Sequence, residues 1–387
     1  MMAKPQRMPV LLASHYRSGT PVQVAWEGGR ITDVRSRTAA VPGAWIAPAL
    51  LDIQVNGYAG FDFSRPEDVG RVAAALAAHG VARFCPTVIT GTAAAMQGVL
   101  AAIHGALTAD PALEAAVPGV HVEGPYISEL DGPRGAHPRA QVRDPEWAHF
   151  EGLRRASGGR VRIVTLAPER PGALAFIARA SAAGLLVCIG HSAADADAVH
   201  AAVAAGARLS THLGNGLAAT IDRHHNPLWP QLAAPGLSAS FIADGHHLPA
   251  DALTAMMAAK GPTRCVLVSD AVRQAGLPPG RYPGVGGGDV DVLASGRIQL
   301  AGTPYLAGSG AHLAHCVAHA ARVGAACLSD ALDMAALHPA RLLGLPPPLL
   351  APGAPADLLV YRSGAAGELE VLATVRGGDV IFGELPV

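Results

Sequence analysis

Charge is scarce in this chain: only 15% of its 387 residues are Asp, Glu, Lys or Arg. The 29 basic side chains face 30 acidic ones, so the net charge is −1 and there is no electrostatic reason to bind nucleic acid. With so few charges, an exposed apolar face reads as an oligomer contact. Cysteine is sparse too. Cys85, Cys188, Cys265, Cys316 and Cys327 stand singly in apolar runs, odd in number and without a C-x-x-C pair. That excludes a disulfide framework and suits a reducing cytosol. No apolar run is long enough for a membrane span, since the long ones are Ala-rich and broken by Gly, Arg or His. The start, MMAKPQRMPVLLAS, lacks the apolar region of a secretory signal. These absences predict a cytoplasmic protein.

What is present is a large core. Half of the residues are hydrophobic, which excludes disorder, and the length predicts roughly two to three domains. Eight apolar, β-branched-rich runs recur, at 51–56, 82–89, 119–124, 161–168, 185–192, 207–213, 237–245 and 264–271. Helical patterns lie between most of them, as at 69–80, 171–184 and 195–206. Such alternation predicts an α/β fold with a parallel sheet, and eight units predict a (β/α)8 TIM-like barrel. A doubly wound open sheet is the alternative. Residues 21–34 and 355–382 differ, showing short alternating strands with Gly turns. Neither is long enough for its own core, so both are expected to pair as one small β domain. The expected division is 1–46 with 349–387 for that domain and 47–348 for the barrel. Two amphipathic helices, near 308–323 and 329–344, would lead from one to the other.

The polar residues that interrupt the strands fall at their C-terminal ends: Gln54, Asn56, Glu123, His191, His212, Asp244 and Asp270. In barrel enzymes that rim carries the active site. One histidine there would usually be a satisfied structural residue. A carboxylate and two imidazoles converging at one rim are instead costly to bury without a partner, and a bound cation resolves the cost. Glu123, His191 and His212 form a ligand set for a catalytic divalent metal with open positions for water. Zinc is the default; iron, cobalt or manganese would accept the same donors. His121 shares a strand face with Glu123 and either supports the ligand from behind or fills the barrel interior.

Eight motifs in order carry a resemblance. They are HVEGPYIS (121–128), GPRGAHP (132–138), TLAPE (165–169), IGHS (189–192), THLGN (211–215), ADGHH (243–247), LVSDA (267–271) and LAGS (306–309). Together they resemble the N-acetylglucosamine-6-phosphate deacetylases of the amidohydrolase superfamily, from about residue 45 to 345. GAPADLLVY (353–361) is similar to that family's composite β domain. The resemblance implies Glu123, His191 and His212 as metal ligands and Asp270 as general acid/base. It implies His137, with Ala136 beside it, at the acetyl carbonyl, and His247 as a substrate contact. Asn215 and Gly216 would hold the sugar phosphate, and Leu306 and Ala307 would line the pocket. It further implies an amino-sugar substrate and a homodimer. Two-metal amidohydrolases begin with His-x-His on the first strand, whereas this chain has Gln54-x-Asn56. Neutral amides are poor zinc ligands, so one metal per subunit is expected, with the amides bonding water or substrate.

The chain departs from the family at 211–232. Gly214 and Gly216 replace an aromatic residue and an alanine, HHNPLW is an unfamiliar insertion, and Arg223 is the nearby candidate for a phosphate contact. Besides N-acetylglucosamine 6-phosphate, an unphosphorylated N-acetyl amino sugar or another N-acyl amine therefore remains a candidate substrate. A catalytically silent scaffold is the reading of another class, and it predicts a lost ligand where none is lost. Other signals have plainer readings. GVGGG (284–288) lacks the Lys and helix of a phosphate loop and reads as a turn. His312, His315 and His319 share a helix face without a carboxylate and read as packing. Asp244 is placed to orient His247.

Overall fold

The computed structural model describes residues 9–284, 288–365 and 367–386. Eight parallel strands appear where the apolar runs predict them: β1 (Leu50–Val55), β2 (Val81–Ile89), β3 (Val120–Glu123), β4 (Val161–Leu166), β5 (Leu186–Ile189), β6 (Leu209–Ser210), β7 (Ser238–Ile242) and β8 (Cys265–Val268). They form one sheet in sequence order, each hydrogen-bonded to the next. The seam between β8 and β1 has no regular ladder. Instead the Asp270 N–H donates to the Gln54 carbonyl at 2.9 Å, and the Asn56 N–H to the Ala271 carbonyl at 2.8 Å. The result is a nearly closed (β/α)8 barrel, not an open doubly wound sheet.

Leu51, Ile53, Cys85, Ile163, Leu186, Cys188, Leu209, Ile242, Val266 and Val268 fill the interior, with Ala340 and Leu343 packed against them. Each such Leu, Ile or Val contributes roughly 1.5–3 kcal/mol by leaving water. Outside, Ala-rich helices cover the sheet. Ala196–Ala205 is typical: the Asp195 carboxylate accepts from the Ala198 N–H at 2.8 Å, and Gly206, at φ +117°, ends the helix. A side chain on Gly206 would strike Ser181, so both chirality and space require glycine there.

The expected helix at 329–344 is two shorter ones, Leu328–Met334 and Leu337–Leu342. Pro339 lacks the N–H that would bond the Ala335 carbonyl, so a continuous helix is broken at that point. His338 donates from Nδ1 to the Cys265 carbonyl at 2.8 Å and anchors the second piece under β8. Of the GVGGG segment, residues 285–287 lie outside the described residues. Around them, Gly280–Pro283 and Asp289–Val292 form an antiparallel pair that Ile298–Leu300 extends.

The chain ends meet in a seven-stranded sheet. Its order is Asp379–Gly383, Leu369–Arg376, Leu358–Ser363, Trp45–Pro48, Val10–His15, Pro21–Glu27 and Arg30–Ser36. Trp26, Leu11, Ile46, Leu358, Val360 and Val375 pack as its separate core. Two of these strands, Val10–His15 and Trp45–Pro48, were not expected. They are short, and Trp45–Pro48 owes its form to pairing with Leu358–Ser363, more than 300 positions away. The Asp357 carboxylate joins the sheet to the barrel, accepting from Arg83 of β2 at 2.7 Å and from the Gly377 N–H at 2.7 Å.

Asp52 is buried at the β8–β1 seam, where its Oδ1 accepts from the Gln54 and Ser269 N–H groups at 3.3 Å each. Burial pushes its carboxyl up to about 6, despite the hydrogen bonds that lower it. A carboxyl raised above its unfolded value favours folding while protonated, and that contribution is lost as pH rises through the folded pKa. Across both pKa values the loss amounts to about 3 kcal/mol, most of it between pH 4 and 7. Asp52→Asn is accordingly expected to melt above the native protein at pH 7.5 and level with it at pH 4. A melting difference that does not change with pH would contradict the assignment.

Candidate active site

Glu123 ends β3, His191 lies two residues beyond β5, and His212 two beyond β6. All three are buried. Their ligand atoms form a near-equilateral triangle: Glu123 Oε1 lies 3.1 Å from His191 Nε2 and 3.1 Å from His212 Nε2, and the two nitrogens lie 3.1 Å apart. Donors about 2.0–2.2 Å from a tetrahedral cation stand roughly 3.3–3.5 Å from one another, close to this spacing. The His191 Nδ1 lies 2.9 Å from the Pro133 carbonyl, which can only accept. Nδ1 therefore carries the proton, and the Nε2 lone pair faces the other ligands. Two imidazole nitrogens and a carboxylate oxygen at this range suit one divalent metal ion, and they are the one such cluster found among the described residues.

Backbone strain gathers at the same place. Among the described residues, four non-glycine residues have positive φ, and three of them are His191 (52°), His212 (31°) and Asp270 (47°). Such conformations cost on the order of 1–3 kcal/mol each and persist where the surroundings impose them. Burial pushes the Glu123 carboxyl up, but the adjoining His191 and His212 imidazoles outweigh it and hold it well below the usual range. Burial, and then the negative charge of Glu123, pushes Asp270 up; His212 and the Asn56 amide act against it. Asp270 thus feels the triad directly.

The first-strand amides reach the site's carboxylates through their N–H groups. Gln54 Nε2 donates to Glu123 Oε1 at 3.0 Å, and Asn56 Nδ2 donates to Asp270 Oδ1 at 2.8 Å. Their partners within the protein are the site's two carboxylates, and the Asn56 Oδ1 has no hydrogen-bond partner among the described residues. Register irregularities in the β1–β2 pairing, around Asp52 and Val55, accompany the placing of Gln54 in the site.

Several other expected residues gather here. The His137 ring packs edge-on against His191, with centroids 4.3 Å apart, and its Nδ1 lies 2.8 Å from the Thr90 hydroxyl. Burial lowers His137 to about 3, so the imidazole is neutral and can offer a hydrogen bond. Ala136, next to it, is exposed. Asn215 donates to the His212 carbonyl at 3.2 Å, and Gly216 lies so close that an added Cβ would stand 3.0 Å from His191 Nδ1. His247 donates from Nδ1 to Asp244 Oδ2 at 2.7 Å, as expected, which leaves its Nε2 free to accept. Leu306 and Ala307 pair with Gln299 and Ile298, and Ser309 just beyond donates to the Asp270 carbonyl at 3.1 Å. Arg223 is not brought in. It is exposed, and its guanidinium makes no hydrogen bond or ion pair among the described residues. Thr90, one residue past β2, was missed in the sequence; no local pattern distinguishes it from the other polar residues nearby.

No protein-family model matches the chain. It is 37% identical over 386 residues to the N-acetylglucosamine-6-phosphate deacetylase of Bos taurus, covering 94% of this chain and 88% of that protein. The chain belongs to the N-acetylglucosamine-6-phosphate deacetylase family. The crystal structure of N-acetyl-D-glucosamine-6-phosphate deacetylase from Mycobacterium smegmatis is 30% identical, with a TM-score of 0.85 over 96% of this chain and 100% of that one. The N-acetylgalactosamine-6-phosphate deacetylase of Escherichia coli O157:H7 is 33% identical over 330 residues, covering 82% of this chain and 84% of that protein. With its buried triad in place, this member of the deacetylase family is a metal-using amidohydrolase.

Proposed function

We propose that this chain hydrolyses the acetamide of N-acetylglucosamine 6-phosphate, releasing acetate and glucosamine 6-phosphate. The observation that carries this reading is the triangle of Glu123, His191 and His212 beside Asp270, in a chain so similar to deacetylases along its whole length. Those three residues would hold a single ion, zinc by the preference of two imidazoles and a carboxylate. When bound, such an ion supplies Lewis acidity and lowers the pKa of water toward neutrality. Asp270, with its carboxyl raised, accepts the proton of the attacking water and returns it to the departing amine. Asn56 fixes the carboxyl for both transfers. Neutral His137 donates from Nε2 to the acetyl oxygen as it gains charge, while Thr90 holds the ring. Asn215 and Gly216 hold the sugar phosphate, His247 contacts the substrate, Leu306 and Ala307 line the pocket, and Ala136 keeps the approach to His137 open; Arg223, outside its own chain's site, would reach a phosphate only across a dimer.

The reading includes a homodimer in the cytoplasm. Large apolar side chains exposed in the segments after β3 and β6, namely Leu130, Ile221 and, in the helix Leu228–Ala233, Trp229, support an oligomer contact near the site. Among the described residues, no helix is long and apolar enough to cross a membrane. The chain divides into 1–46 with 349–387 and 47–348, with strand Trp45–Pro48 running across the first boundary.

The exposed Arg223 favours a second reading, in which the substrate is an unphosphorylated N-acetyl amino sugar or another N-acyl amine. Acetate release from a panel of plain and phosphorylated N-acetyl amino sugars, with metal analysis, decides between them. The expected result is kcat/KM at least ~10-fold higher for the 6-phosphate of N-acetylglucosamine, as one charge-assisted contact of roughly 1.5–3 kcal/mol would give. Equal or better use of the plain sugar would favour the second reading. No acetate release from any member by zinc-loaded protein would leave the silent scaffold.

A further inference from the structure

Beneath the triad lies a polar cluster that no step of the reaction uses. His121 of β3, Thr165 of β4 and Thr211, just past β6, are all buried. His121 Nε2 lies 2.8 Å from the Thr165 hydroxyl, which lies 2.8 Å from the Thr211 hydroxyl. At the other end, His121 Nδ1 lies 3.2 Å from the Ile53 carbonyl. A carbonyl can only accept, so Nδ1 carries the imidazole proton and Nε2 accepts from Thr165. Thr165 has then used its one proton, and Thr211 must donate to it. A single arrangement of hydrogens satisfies the whole chain.

Every link adjoins a strand that carries the triad. Ile53 precedes Gln54, which donates to Glu123. His121 lies two residues before Glu123 on the same strand, and Thr211 directly precedes His212. Gly190, directly before His191, is wedged between the two threonines: an added Cβ would stand 2.7 Å from the Thr165 methyl and 2.7 Å from Thr211 Cβ. The cluster therefore touches the base of all three ligands across the barrel. Apolar side chains of the same size would fill the space without directional bonds and would leave the spacing of the strands to packing alone.

We infer that the His121–Thr165–Thr211 hydrogen-bond chain positions Glu123, His191 and His212 for metal retention, with the threonine hydroxyls as the positioning groups. The inference rests on the reading of the triad as a metal site. It separates hydroxyl from methyl at one residue: Thr165→Val keeps the shape and loses the bonds, whereas Thr165→Ser keeps the hydroxyl and loses the methyl against Gly190.

The test is zinc affinity, measured by competition with a chromophoric chelator on purified full-length protein, with the apo-protein melting curve beside it. Thr165→Val should lose roughly 10–100-fold in zinc affinity, the range seen when a group supporting a metal ligand is removed. Thr165→Ser should stay within about threefold of native, well short of that range. Adding Thr211→Val to Thr165→Val should cost little more, because the chain is already broken. Native zinc affinity in Thr165→Val, or an equal loss in Thr165→Ser, would overturn the inference. If Thr165→Val does not fold, Thr211→Val carries the test alone, and unchanged affinity there has the same consequence. Failure of the native chain to bind zinc would instead overturn the metal-site reading itself.

Discussion

Asp270→Asn is expected to lower kcat roughly 10²–10⁴-fold, the usual contribution of a positioned general acid/base, while zinc content stays native. The substitution keeps size and shape, and the new amide oxygen can still accept from Asn56. What it removes is a group able to take and return a proton. Asp270 is suited to both steps because it lies within the field of Glu123 and His212, with its carboxyl held in place by the Asn56 amide. The triangle of Glu123, His191 and His212 does not include it, so metal binding should survive. Turnover within tenfold of native, in protein shown to carry zinc, would remove Asp270 from the chemistry.

The second large effect concerns the triad itself. His212→Ala takes one corner from the triangle and leaves Glu123 and His191 at 3.1 Å with two donors for the ion. Zinc should be lost on dialysis. Turnover should fall by more than the roughly 10²–10⁴ of a general base, because water would return from a pKa near 7 toward its bulk value. Chelator treatment of native protein should have the same effect, reversed by added zinc. The melting temperature should move with activity. At free zinc about 1,000 times Kd, binding stabilises the fold by about 4 kcal/mol, and stripping the ion removes that contribution. Full activity after stripping, with metal analysis confirming its absence, would exclude a metal-dependent mechanism.

These two predictions rest on residues visible in the sequence, and the reason is local. Each parallel strand is an apolar run ended by a polar residue, so Glu123, His191, His212 and Asp270 mark strand ends before any packing is known. The roles of Gln54 and Asn56 were not visible in the same way. Both sit at the end of the right strand, but which carboxylate each amide reaches depends on irregular pairing with β2, and a shift of register sends a side chain elsewhere. Thr90 behind His137, and the threonines beneath the triad, were hidden for a related reason. Each is an ordinary residue of a strand or strand end until a partner distant in sequence reaches hydrogen-bond range.

The terminal sheet shows the same division on a larger scale. Alternation in 355–382 identifies C-terminal strands, yet Trp45–Pro48 becomes a strand by lying against Leu358–Ser363. Pattern along the chain decided the barrel, its order and the four side chains at its mouth, because periodicity and strand ends are properties of near neighbours. Folding alone decided the 3.1 Å triangle, the left-handed backbone at His191, His212 and Asp270, and the exposure of Arg223. Those depend on loops and strands far apart in sequence meeting at one point, and only contacts between them can set such distances.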